Sequence, residues 1–262
     1  MFEIITELAR SALKNKVAII TGAGRGVGKA VSVAYARAGA SVCCVARSKA
    51  EIEETAAEIQ ASGGAAMAVS ADVSDLKAVQ SAVDAAVRRF GGLDILVVNH
   101  GVSLALGRLE DTDPQQWRKT VEINLIGAYH CARSAIPHLK ARGAGKIIIV
   151  GSGQGHQGTA STSAYSASKG GVWCLAQSLA AELVEFNISV NELLPGNVKT
   201  KLYDDSIAAM RANAPQGAGQ LAQKRTHEWL KGPEDVVPLA LFLACQPDVG
   251  PTAQSYSLQR RI

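Results

Sequence analysis

Seven short runs of β-branched and aliphatic residues, separated by longer Ala-rich stretches, limit what this chain can fold into more than any other feature. The runs are Val17–Thr21, Ser41–Ala46, Ala66–Ser70, Ile95–Val98, Lys146–Gly151, Ile188–Leu194 and Ala253–Leu258. Most read as continuously apolar, the pattern of strands covered on both faces in a parallel sheet. Helix candidates fall between them at about Gly26–Ala38, Lys49–Ser62, Leu76–Arg89, Pro114–Arg142, Ala164–Glu185 and Pro233–Ala244. Gly39 follows the first helix, and Asp113-Pro114 places a capping side chain before a proline at the first helical position. The alternation predicts a single α/β domain: a Rossmann-type, doubly wound, mostly parallel seven-stranded sheet with helices on both faces.

One segment breaks the rhythm. Lys201–Lys231 follows a strand directly, is polar, and contains Ala-Pro-Gln-Gly-Ala-Gly at 214–219. A long excursion from the carboxyl end of a strand, where open α/β sheets bind ligands, suits a substrate lid. The plainer reading is a surface loop with a short helix.

Composition narrows the function by exclusion. The 262 residues carry 27 basic and 23 acidic side chains, a net charge of +4 with no polybasic run, which makes no case for nucleic acid. No stretch approaches the ~20 apolar residues of a membrane span; Ile147–Val150 is far too short. The N-terminus shows no basic region followed by an apolar one, so a cytoplasmic location is expected. Cys43, Cys44, Cys131, Cys174 and Cys245 lack CxxC spacing and sit among apolar neighbours, which predicts reduced, buried thiols. The five histidines show no metal spacing, and no metal site is expected.

The first strand runs into Thr21-Gly22-Ala23-Gly24-Arg25-Gly26-Val27-Gly28 and then a helix. The spacing is TGxxxGxG, through Gly22, Gly26 and Gly28, with valine at 27 in place of the last glycine of GxGxxG. Glycines let the turn tighten and the backbone approach a pyrophosphate, which then meets free N–H groups at the helix N-terminus. After the second strand, where a carboxylate would bind an NAD ribose, stand Ala46 and Arg47. Together with Arg25, two guanidinium groups and no acid suit a 2′-phosphate, so NADP(H) is expected over NAD(H).

Tyr165 and Lys169 share one helical face in Tyr-Ser-Ala-Ser-Lys. Ser152 lies thirteen residues upstream of the tyrosine, just past a strand end. Asn124 interrupts a long helix candidate, where asparagine is locally unfavourable and a functional reason is plausible. With these pieces the sequence resembles the short-chain dehydrogenase/reductase (SDR) family from about Lys16 to Leu258. The matching motifs occur in family order: TGAGRGVG at 21–28, Asp72-Val73, Asn99-His100-Gly101, Asn124, Ser152, Tyr165 with Lys169, and Pro195-Gly196 with Val198 and Thr200.

The resemblance implies roles. Tyr165 would be the general acid/base, Ser152 would hold the substrate oxygen, and Lys169 would bind the nicotinamide ribose while acidifying the phenol. Asn124 would hold a water linking Lys169 to solvent. Asp72 and Val73 would sit by the adenine, Asn99 and Gly101 near ribose, and Pro195, Gly196, Val198 and Thr200 along the nicotinamide. Residues of about 16–100 would form the dinucleotide-binding half, 101–200 the catalytic half, 201–231 the lid, and 232–262 the last helix, strand and tail. The family's assembly habit implies a homotetramer or homodimer. Gln154, His156, Tyr203 and Trp229 are candidate substrate contacts.

Three departures stand out. His100 replaces a small residue of the family's Asn-Asn-Ala-Gly, Gly151 and Gly153 flank Ser152, and the tail ends Leu258-Gln259-Arg260-Arg261-Ile262. Three functions fit these residues. The first is reduction of a small ketone, or oxidation of a sugar- or polyol-like alcohol, with NADP(H). The second is 3-oxoacyl reduction on acyl carrier protein or coenzyme A. The third is a catalytically silent NADP(H) sensor, which would have no need to keep all four of Asn124, Ser152, Tyr165 and Lys169. Pro137 and Phe186 stand where the resembled acyl-carrier reductases dock an acidic carrier through arginines, which argues for a free small molecule.

Overall fold

The computed structural model describes residues 11–212 and 229–259. Seven strands form one sheet in the order β3-β2-β1-β4-β5-β6-β7, and every pair is parallel. They are β1 Val17–Thr21, β2 Ser41–Ala46, β3 Ala65–Ser70, β4 Ile95–Val98, β5 Gly145–Val150, β6 Ile188–Leu194 and β7 Ser255–Ser257. The "mostly parallel" expectation becomes a wholly parallel sheet.

Alternating side chains of each central strand feed two separate cores. Ile19 faces one with Leu96, Ile147 and Ile149; Ala18 and Ile20 face the other with Ile95, Val97 and Ile148. The first core is closed by α3 (Leu76–Phe90), α5 (Gly127–Arg142) and α7 (Ser163–Leu183). The second is closed by α1 (Gly26–Arg37), α2 (Lys49–Ala61) and α9 (Val237–Ala244). Burial on both faces explains the uninterrupted apolar strands. Because β1 and β4 are neighbours, the winding reverses between them and opens a crevice at their carboxyl ends.

Two expectations need correction. The helix predicted over Pro114–Arg142 is interrupted: α4 spans Pro114–Val121, a π-helical turn spans Glu122–Ile126, and α5 follows. An extra short helix, α6 (Gly153–Gln157), follows Ser152, and α8 (Lys201–Ala212) opens the proposed lid. The stretch 214–219 lies outside the described residues. Finally, Cys43, Cys44 and Cys131 are buried, where burial lifts their thiols to about 12, 11 and 12, but Cys174 and Cys245 are exposed.

Where the chain leaves for α8 it is pinned to the place where it returns. Lys199 N donates to Lys231 O at 2.8 Å and Lys231 N to Asn197 O at 3.0 Å. Among the described residues no helix is long and apolar enough to cross a membrane, and no group of side chains could hold a metal ion.

Candidate active site

At the end of β1 the chain turns through Gly22 (φ +65°) and enters α1 at Gly26 (φ +55°), both in the left-handed region that favours glycine. A Cβ on Gly28 would collide with the Gly22 carbonyl, so the helix start and the turn pack backbone against backbone. Asn99 fixes the turn from β4, donating through Nδ2 to Thr21 O at 3.0 Å and Gly22 O at 3.3 Å. No side chain caps α1 at Arg25, which leaves its first-turn amides for another partner. A glycine-lined turn beneath uncapped helix amides fits a dinucleotide pyrophosphate. Thr200 closes over the same turn, its Cγ2 only 3.2 Å from where a Cβ of Gly26 would stand.

Both arginines at the edge of this turn have carboxylate neighbours that sequence reasoning missed. Arg25 Nη1 lies 3.2 Å from Glu51 Oε1, and Arg47 Nη1 lies 3.9 Å from Asp72 Oδ2. Burial alone would raise the Asp72 carboxyl, but Ser74, through its N–H and hydroxyl, and Arg47 together hold it below its ordinary value. The two arginine side chains are 62% and 57% exposed, so neither pair is tightly held.

The second half of the site sits at the ends of β4 and β5 and the start of α7. Ser152 caps α6, its Oγ accepting from Gln154 N at 3.2 Å. Gly155 of α6 presses on the backbone of Lys169 and Gly170, where a side chain would not fit. Lys169 is 4% exposed and donates from Nζ to Val150 O at 2.7 Å, with Nζ 6.0 Å from the Tyr165 ring centre. Burial pulls the lysine down to about 8, opposed by the Glu192 carboxylate. Burial also raises the Tyr165 phenol, opposed by a hydrogen bond with Ser152. Burial is the larger of the two influences and favours the protonated phenol.

Asn124 lies in the π-helical turn, 2% exposed. Its Oδ1 accepts from Val102 N at 2.8 Å, while Nδ2 donates to Val102 O at 2.8 Å and Ser168 Oγ at 2.9 Å. Ser168 in turn donates to Tyr165 O at 2.8 Å. The asparagine side chain therefore ties the loop after β4 to the first turn of α7. Gly101 lies where these groups converge: a Cβ there would stand 3.6 Å from Asn124 Oδ1 and 3.7 Å from Lys169 Nζ.

His100 bridges the two halves. Nδ1 meets Thr21 Oγ1 at 2.8 Å and Nε2 meets Ile123 O at 3.1 Å. The carbonyl can only accept, so Nε2 carries the proton and Nδ1 accepts from the threonine. Burial, reinforced by Lys169, pushes the imidazole down to about 3, keeping it neutral. Gly127 makes room for the ring.

The other named residues scatter around this group. Val73 is buried, and its carbonyl contacts His130 Nδ1 at 2.9 Å. Pro195, Gly196 and Val198 lead from β6 to Thr200. Val27 is half-buried against the second core. Tyr203 stands on α8, its N–H donating to Thr200 Oγ1 at 3.3 Å, and Trp229 is 61% exposed. His156 meets the Glu192 carboxylate through Nε2 at 2.8 Å, and the Gln259 side chain lies over Gly153.

Comparison with known proteins agrees with this architecture. The short chain dehydrogenase family matches residues 16–211. The chain is similar to a cis-4-hydroxycyclohexanecarboxylate dehydrogenase of Sinomonas cyclohexanicum, 36% identical over 89% of this chain and 90% of that one. It is 33% identical to a trihydroxynaphthalene reductase of Pestalotiopsis fici, over 91% and 86% of the two chains. A crystal structure of a carveol dehydrogenase from Mycobacterium avium in complex with NAD superposes with a TM-score of 0.85 at 28% identity, covering 95% of this chain and 97% of that chain. The protein belongs to the short-chain dehydrogenase/reductase family. It is an oxidoreductase that acts on alcohol and carbonyl groups.

Proposed function

We propose that this enzyme interconverts a ring ketone and the corresponding secondary alcohol on a small, carbocyclic substrate, with NADP(H) as the hydride carrier. The observation that carries the reading is the meeting of three groups at one sheet edge: the Ser152 hydroxyl, the protonated Tyr165 phenol and the buried Lys169 amine. The relatives above act, by their names, on hydroxycyclohexanecarboxylate and trihydroxynaphthalene, which are six-membered carbocycles.

The nicotinamide, when bound, supplies or accepts the hydride. Gly22, Gly26, Val27 and Gly28 would cradle its pyrophosphate with the α1 amides. Asp72, Val73, Asn99 and Gly101 would line the adenosine side, and Pro195, Gly196, Val198 and Thr200 the nicotinamide side. Lys169 would hold the ribose.

In reduction, Tyr165 donates its proton to the carbonyl oxygen while Ser152 donates a hydrogen bond to the same oxygen as charge grows there. A phenol held in its protonated form by burial is ready for that step. In oxidation the proton returns to Tyr165, and the Lys169 ammonium favours the phenolate that accepts it. Asn124 keeps Tyr165 and Lys169 in register through Ser168.

Arg25 and Arg47, with no acid at Ala46, support NADP(H). Their present pairs with Glu51 and Asp72 are exposed, and such pairs contribute about 0–1 kcal/mol, little to set against a phosphate. The NAD-bound carveol dehydrogenase and the nearness of Glu51 favour NAD(H) as the second reading. Assembly into a tetramer or dimer is supported by exposed Ile126, Tyr129 and Val184 beside the long helices and by Phe242 and Val249 near the last strand.

The test is a screen of purified enzyme over cyclohexanols, cyclohexanones, polyols and acyl-carrier thioesters with both cofactors. We expect the highest kcat/KM on a free cyclic substrate and tighter binding of NADPH than NADH. Higher efficiency on the carrier-bound thioester, lost steeply as salt rises, would overturn the substrate class; tighter NADH binding would overturn the cofactor.

A further inference from the structure

Glu192 is the most deeply buried ionisable side chain near the site, 0% exposed, and the reaction described above does not use it. It sits on β6 opposite Ile149 of β5. Its Oε2 is anchored twice: His156 Nε2 lies 2.8 Å away and Ser255 Oγ donates at 2.6 Å. The His156 ring is backed by Trp173 at 4.9 Å between centres.

The other oxygen, Oε1, has no hydrogen-bond partner among the described residues. It occupies the space that a side chain on Gly151 would fill, where any Cβ would collide with the carboxylate. Lys169 Nζ, meanwhile, donates to the carbonyl of Val150, the residue immediately before. The carboxylate thus lies against Gly151 and the ammonium bonds Val150, adjacent residues directly ahead of Ser152. An unpaired carboxylate oxygen in a buried place is costly unless a positive charge lies within reach.

We propose that Glu192 is a positioning residue of the catalytic group, a buried counter-charge that holds Lys169 in its ammonium form. The proposal rests on the reading of Lys169 given above. Among the described residues the lysine's other neighbours carry no negative charge: Tyr165 shares its helix, His100 faces it across the site as a neutral ring, and Asn124 and Ser168 are uncharged. Around Glu192, His156 comes from α6, Tyr165 and Lys169 from α7, and neutral Ser255 from β7. Lys146 of β5 stands three register positions away, against Ser189, and α9 carries no ionisable side chain. The carboxylate is also the one group that opposes burial in holding the Lys169 proton. Removing its charge lets the ammonium give up that proton at lower pH.

The test needs neither cofactor nor substrate. Cofactor-free protein is acetylated with trace acetic anhydride from about pH 6 to pH 11, a span that brackets lysine titration. The Lys169 peptide is then read by mass spectrometry against exposed Lys119. In the wild type the Lys169 midpoint is expected near 8. Glu192→Gln keeps the length and an oxygen for His156, and Glu192→Met offers an uncharged side chain that a buried site accepts more readily. In either variant the midpoint should fall by at least about half a pH unit, roughly a threefold change in the charged-to-neutral ratio. His156→Gln, which leaves the carboxylate in place, should move it less. An unmoved midpoint in a folded, uncharged variant overturns the proposal. So does failure of both variants to fold, which would assign Glu192 to the fold instead. An inactive wild-type enzyme would sink the functional reading and leave this titration unaffected.

Discussion

The glycine turn after β1 and the Ser152–Tyr165–Lys169 group lie at one edge of one sheet, yet they are built from different material. The turn is backbone against backbone: Gly28 packs on the Gly22 carbonyl, and the Asn99 amide binds two main-chain oxygens. The catalytic group is instead held by side chains that reach one another and distant carbonyls: Asn124 binds Ser168, Ser168 binds Tyr165 O, and the Lys169 amine binds Val150 O. A backbone cradle has no slack, because any Cβ fills it. A side-chain network has alternatives at each link, so it should fail by degrees. The His100 ring joins the two, tying Thr21 to the π-helical turn beside Asn124.

The largest effect is expected at the cradle. Gly28→Ala drives a methyl group into the Gly22 carbonyl, and the turn must open. Nicotinamide cofactor affinity should fall by at least ~100-fold, about 2.8 kcal/mol. Fluorescence titration of the reduced cofactor checks this, and affinity within threefold of wild type would break the contrast between the two ends. A smaller effect is expected in the network. Asn124→Ala strips the Val102 N–H and C=O of their partners, at about 1–3 kcal/mol for each buried group left unsatisfied. The melting temperature should drop clearly and kcat about tenfold, as positioning losses do, with cofactor affinity little changed. A loss of affinity matching that of Gly28→Ala would mean that the two ends are one unit.

The contrast also explains what was legible in the sequence. The central strands β1, β4 and β5 could be read because each is buried on both faces, whereas β3 and β7 at the sheet edges are partly exposed and were read from their spacing. The glycine turn was legible because a backbone cradle leaves its mark directly as residue type. Tyr165, Lys169, Ser152 and Asn124 were singled out by spacing and family order, and the fold brings them to one sheet edge. What escaped depends on three-dimensional neighbours. The π-helical turn at Glu122–Ile126 has no sequence period of its own and showed only as a misplaced Asn124. Glu51 and Asp72 pair with the arginines across separate βα connections. Glu192 lies inside an apolar strand, Ile-Ser-Val-Asn-Glu-Leu-Leu, where its charge was the one available signal. His100 was noticed as a departure, but its bond to the Ile123 carbonyl could not be foreseen without the turn.

The central claim is that the Tyr165 hydroxyl transfers the proton, and one substitution tests it most directly. Tyr165→Phe keeps the ring and removes the oxygen. Steady-state turnover of the best cyclic substrate is measured beside cofactor affinity for wild type and variant. The account predicts that kcat falls by about 10²–10⁴-fold, the range of a positioned acid or base, while cofactor affinity stays within about threefold. Turnover unchanged in a folded Tyr165→Phe enzyme would contradict it.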